Sequence, residues 1–95
     1  MSAYIVVDCE VTDSVRYESY KKLAQTAIAK HGGRYLARGG ETHVLEGGWQ
    51  PHRIVVLEFP STSAIRRFYS SPEYKAARTA RDGAARMNMI AVEGT

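Results

Sequence analysis

The stretch from Gly32 to Pro60, GGRYLARGGETHVLEGGWQPHRIVVLEFP, constrains the fold more than any other part of the chain. It reads as three consecutive strands: Tyr35–Arg38, His43–Glu46 and Arg53–Phe59. Gly39-Gly40 has the composition of a hairpin turn, and Gly47-Gly48-Trp49-Gln50-Pro51 spells a second one. Arg53–Phe59 has the strongest strand pattern, because Ile54, Val55 and Val56 are β-branched and suit a pleated surface.

Helix patterns flank this block. A strand over Ala3–Val11 leads to Asp13 or Ser14, either of which can cap a helix. The apolar stripe of that helix is Tyr20, Leu23, Ala24, Ala27, Ile28 and His31, and Gly32-Gly33 ends it. Pro60-Ser61 starts a second helix that contains Ile65, Phe68 and Tyr69. Ser71-Pro72-Glu73 marks a fresh helix start, with serine at the cap and proline at the first helical position; it runs to about Arg81. A last strand spans Met87–Val92. The order is β-α-β-β-α-β with a split second helix and an extra hairpin strand. It predicts an α+β plait, an antiparallel sheet with helices on one face. At 95 residues the whole chain, 1–95, is expected to be one domain with little core to spare.

Strand parity sharpens this reading. One parity collects Ile5, Val7, Cys9, Val11, Val55, Leu57, Phe59, Ile90 and Val92, a uniformly apolar set that should meet the helices. The other collects Tyr4, Val6, Asp8, Glu10, Ile54, Val56, Glu58, Met89 and Glu93. A face left to water does not need the aliphatic members of that set, and a dry core does not hold Asp8 and Glu58. The expectation is a homodimer whose facing sheets enclose a polar-lined pocket.

The segments GGRYLARGG, LEGGWQPHRIVVLEFPS and SPEYKAAR, in this order and spacing, closely resemble the family known as domain of unknown function 1330. The likeness runs from AYIVVDCEVTD to the closing AVEG. It implies a ferredoxin-like subunit of the dimeric α/β-barrel superfamily. That superfamily also holds cofactor-independent monooxygenases, haem-degrading enzymes, small isomerases and stress-response proteins. The resemblance carries a fold and no mechanism.

Candidate chemistry rests on few residues. Asp8 and Glu58 share a parity, and carboxylates facing a partly apolar cavity would have raised pKa values suited to general acid–base work. A structural ion pair is the plainer role, with Arg38 the nearest plausible partner. Arg38 and Gly39 are candidate ligand contacts, because a guanidinium fork grips a carboxylate and glycine lets the backbone come close. Trp49 and Tyr69 are candidate pocket walls. The ligand this implies is small and anionic or carboxylate-bearing.

Other chemistries find no footing. Cys9 is the single cysteine, so no disulfide forms within the chain, and no Cys/His spacing predicts a metal site. His31 falls at a helix end, while His43 and His52 form no ligand spacing with a carboxylate. No histidine has an axial-ligand context, so no cofactor is expected. Ser70 and Ser71 lack the setting of a hydrolase nucleophile. The formal charge of +3 is too mild to imply nucleic acid, although Arg66, Arg67, Lys75, Arg78, Arg81 and Arg86 crowd the C-terminal third. RNA-recognition modules share the element order, yet the strands here lack the paired aromatics that stack bases. No apolar stretch approaches membrane-spanning length, and no leader pattern opens the chain, which points to the cytoplasm. Two functions remain: a small-molecule enzyme without a tightly bound cofactor, resembling a monooxygenase or isomerase, or a non-catalytic ligand-binding or stress-related structural dimer.

Overall fold

Period-two alternation builds the first strand of the computed structural model, which describes residues 1–95. In β1 (Ala3–Val11), Ala3, Ile5, Val7 and Cys9 are buried, while Tyr4, Val6, Asp8 and Glu10 take the opposite face. Asp13 caps α1 (Ser14–Lys30), its Oδ1 accepting from the Arg16 N–H at 3.1 Å. The helix ends where Gly32 adopts φ +80°. There the Gly33 N–H donates to the Ile28 carbonyl at 2.9 Å and the Gly32 N–H to that of Ala29 at 3.2 Å, the paired bonds of a Schellman cap.

After β2 (Arg34–Arg38) the chain does not turn back on itself. The predicted strand at His43–Glu46 is absent: Gly39–Arg53 is irregular, and β3 (Ile54–Phe59) pairs directly with β2. The outer edge of β2 stays free, but the loop does not take it: bonds from the Trp49 indole and the His52 N–H to Asp8 carry it over the open face. Gly39 at φ +70° therefore redirects the chain away from β2, and does not close a tight hairpin. Ser61 and Ser71 cap α2 (Thr62–Ser70) and α3 (Pro72–Ala80) as expected. β4 is longer than predicted, spanning Ala85–Glu93. The result is a four-stranded antiparallel sheet in the order β2-β3-β1-β4, a ferredoxin-like α+β fold with all three helices on one face.

The β4 parity needs correcting. Val7 pairs with Met89 and Val6 with Ile90, so Met87 and Met89 face the helices while Ile90 and Val92 lie on the open face. Both parities of β4 carry large apolar residues, with Arg86 and Asn88 the polar members of the open-face parity, and pairing with β1 fixes which side meets the helices.

The core forms where α1 and α3 press on the sheet. Ala24, Ala27 and Ala77, at most 2% exposed, allow close helix approach. The buried Tyr20 and Tyr74 hydroxyls bond each other at 2.8 Å. Phe68 lies between Phe59 and Tyr74, with ring centroids 5.0 and 4.4 Å away. At the rim, Glu73 of α3 accepts from Lys30 Nζ at 2.9 Å and meets His31 Nε2 at 3.3 Å, pinning α3 to the C-terminus of α1. Hydrogen bonds from Lys30 and then from His31 hold the Glu73 carboxyl down at about 2, against an ordinary 4.5. A depressed folded pKa stabilises fully above the unfolded value and is lost as pH falls through the folded one. Glu73→Gln is therefore expected to lower Tm by a few degrees at pH 7. That difference should shrink between pH 4.5 and 2, as measured by thermal melts across pH.

Candidate functional site

The open face of the sheet is apolar along its middle and charged towards its ends. Ladder pairing sets Ala37, Val56, Val6 and Ile90 in one row across all four strands. None of the four is buried, and Ile90 is 63% exposed.

Asp8 and Glu58 lie on this face, as their parity predicts, but in separate clusters. Arg34 Nε donates to Glu58 Oε1 at 2.7 Å, and Tyr4 Oη to Oε2 at 3.5 Å. The Arg34 bond, followed by one from Ser2, holds the Glu58 carboxyl below its ordinary range. Asp8 accepts from the Trp49 indole Nε1 at 3.0 Å and from the His52 backbone N–H at 2.9 Å. Partial desolvation pushes the Asp8 carboxyl up, but bonds from the His52 N–H, the Trp49 indole and the Arg53 N–H together bring it down. The expectation of raised pKa values is overturned for both groups, because each is surrounded by donors that favour the ionised form. Both are weak bases in this setting.

Trp49 and His52 belong to the Gly39–Arg53 loop, which arches over the open face. Between loop and sheet is a chamber of about 510 Å³, lined by Val6, Ile54, Trp49, Pro51 and the Thr42–Glu46 arm. The arm holds its apolar side chains outward, with Leu45 94% exposed.

Arg38 is on the other side of the sheet. It pairs with Val55, and its guanidinium stacks 4.3 Å from the Tyr35 ring centroid while Nη1 donates to Gln25 of α1 at 3.2 Å. It is not the partner of Glu58; Arg34 is. A β-bulge between Tyr35 and Ala37 shifts the register, so Arg34 and Arg38 end on opposite faces despite sharing a parity.

Arg38 instead joins Lys21 and Arg53 at a cleft between α1 and the sheet. Tyr17, Tyr20 and Tyr35 contribute its aromatic wall, and Val55, Leu57 and Met89 are among its apolar lining. Fifteen residues line it and none is Asp, Glu or His. Glu18 meets Lys21 Nζ at 2.8 Å from outside the lining. The Arg53 guanidinium lies 6.0 Å from the Tyr17 ring centroid, and its Nε is buried without a hydrogen-bond partner. Gly39 makes room for it: a Cβ there would sit 2.2 Å from Arg53 Nη1. Burial, followed by the interaction with Cys9, pushes the Tyr17 phenol up to about 12, so it is neutral; the Cys9 Sγ lies 3.5 Å from its oxygen.

The four candidate ligand contacts thus separate. Arg38 lines the helix-side cleft, Gly39 touches it only through Arg53, and Trp49 belongs to the open face. Tyr69 lies in a third place, a groove of about 350 Å³ between α2 and β4, under Arg78 at 4.5 Å. Arg53, Lys21, Tyr17 and Tyr35 were missed. For Arg53 the signal was present, since it shares the alternation of Val55, Leu57 and Phe59. The bulge hid the side that Arg38 takes.

Residues 2–95 match the family model described as Domain of unknown function (DUF1330). No curated protein matches the chain. Among solved structures, a protein of unknown function from Rhodopseudomonas palustris is similar at TM-score 0.78 and 18% identity, covering 99% of this chain and 82% of that one. A dimeric ferredoxin-like protein of unknown function from Jannaschia sp. CCS1 reaches 0.71 at 13% identity, covering 99% and 100%. SnoaB, a cofactor-independent oxygenase from Streptomyces nogalater, reaches 0.65 at 14% identity, covering 99% and 93%. At these identities the likeness is one of fold.

Proposed function

The chain belongs to the family Domain of unknown function (DUF1330), and from that premise we propose that it works as a homodimer binding a small anion in the helix-side cleft of each subunit. The observation that carries the ligand is the convergence of Lys21, Arg38 and Arg53 on an apolar cleft that no carboxylate lines, with Arg53 Nε buried and unpartnered. A buried guanidinium nitrogen without an acceptor is costly, and an anionic oxygen removes that cost. The dimer is supported by the apolar row on the open face, by the outward apolar arm of the loop, and by the dimeric state of the Jannaschia protein. In this reading Asp8 and Glu58 order the face that meets the partner: Asp8 fastens the loop, and Glu58 holds Arg34.

An oxygenase role, the activity of SnoaB, would use the same cleft. Cations that hold a carboxylate also hold an enolate or phenolate, the electron-rich form that reacts with oxygen. Binding comes first in the proposal because the lining offers no carboxylate or imidazole to take the substrate's proton.

Titration of 15N-labelled protein with acetate at constant ionic strength, followed by NMR, tests the anion site. Shifts are expected to centre on Lys21, Arg38 and Arg53, and Arg53→Gln should weaken binding about tenfold or more. Shifts centred on Arg66, Arg67 and Lys75, or an unchanged affinity in Arg53→Gln, would sink the proposal. Arg38→Gln gives an independent reading if the first variant folds poorly.

A further inference from the structure

We infer that the ligand is a short-chain monocarboxylate, its head at Arg53 and Arg38 and its tail in the space behind them; this rests on the anion-binding reading of the same cleft. Three observations define the class. The head group is set by charge and geometry. Two guanidinium forks at the mouth suit the paired oxygens of a carboxylate, and Lys21 is already partly neutralised by Glu18 at 2.8 Å. This mouth also balances a doubly charged head, so the apolar space behind it is what favours a monocarboxylate. The Tyr17 oxygen accepts from the Cys9 thiol, which leaves the phenol proton free to donate, and as a neutral group it adds a hydrogen bond without adding charge.

The tail is set by lining. Behind the cations the cleft is walled by Val55, Leu57, Phe68 and Met89, and twelve of its fifteen lining residues are hydrophobic. A second polar end placed there would lose its hydration and find little in return.

Length is set by volume. The free space is about 30 Å³, two to three times the roughly 10–15 Å³ that a single water needs, so it admits a tail of about two to three carbons and no aromatic ring. Met87 and Met89 at its far side give it limited give, since thioether side chains change rotamer readily.

The test compares propionate, butyrate, octanoate, benzoate and inorganic phosphate at fixed ionic strength, with 13C methyl NMR of Leu, Val and Met groups as readout. Propionate and butyrate are expected to bind at least about fivefold more tightly than phosphate, octanoate or benzoate. They should shift the Val55, Leu57 and Met89 methyls, and Arg53→Gln and Arg38→Gln should each weaken both. If phosphate binds as well as propionate, or affinity keeps rising to octanoate, the short-chain assignment is wrong while the anion site stands. If none of the five shifts these methyls or the 15N amide signals of Lys21, Arg38 and Arg53, the anion-binding reading falls with it.

Discussion

Ile90→Asp is expected to turn the proposed dimer into a monomer. Ile90 ends the row Ala37, Val56, Val6 and Ile90, and it is 63% exposed in the subunit, so the change costs the isolated fold little. In a face-to-face pair each such isoleucine loses its water, at about 1.5–3 kcal/mol per side chain. Symmetry doubles the loss, and a carboxylate buried without a partner adds a desolvation penalty to each copy. Taking about 2 kcal/mol per copy, the dissociation constant rises at least about a thousandfold. Size-exclusion chromatography with light scattering across a dilution series checks this. Wild type should remain dimeric and Ile90→Asp should run as a monomer with an unchanged circular dichroism spectrum. A wild-type monomer at every concentration, or a variant that stays dimeric, rejects the face-to-face assembly.

Phe68→Ala is expected to remove about a third or more of the stability of the subunit. Phe68 is 1% exposed and its ring bridges Phe59 on the sheet to Tyr74 on α3, with His31 edge-on 6.2 Å away. It therefore joins sheet, α2, α3 and the end of α1. Truncating a buried phenylalanine costs about 3–5 kcal/mol, against a total of roughly 5–15 kcal/mol for a domain. Urea denaturation should show a midpoint lowered by about a third or more, with little change in slope. Phe68→Leu, which keeps most of the volume, should recover much of the loss. An unchanged midpoint in Phe68→Ala would mean that the sheet and α3 are held together by other contacts.

What could be read beforehand followed from local rules. The caps at Asp13, Ser61 and Ser71 need only a hydroxyl or carboxylate before an apolar periodic run, and all three form. β1 and β3 were legible because each has one apolar parity that is continuous and one that carries charge. β4 was not, since methionines fill one parity and β-branched residues the other, and burial preference alone chose the wrong one. The strand expected at His43–Glu46 failed for a related reason. Its residues alternate acceptably, but alternation does not say where a segment docks: the outer edge of β2 stays unpaired, and bonds to Asp8 from Trp49 and His52 carry the loop over the open face. The candidate site was half visible. Asp8 and Glu58 were placed on the right face, while their donors, Trp49 and Arg34, depend on a loop path and a bulge that no periodicity encodes. The cleft needed α1 docked on the sheet before Lys21 and Arg53, 32 positions apart by their numbers, could be seen together.

Cys9 has a consequence of another kind. It is the single thiol of the chain, 1% exposed on a central strand, with Tyr17 lying over it. A sulfhydryl reagent reaches it only when β1 comes away from the helix layer, so reactivity counts openings of the core one molecule at a time. The fold thus carries a native gauge of its own breathing, readable by mass spectrometry without a label, a denaturant or a second cysteine to confuse it.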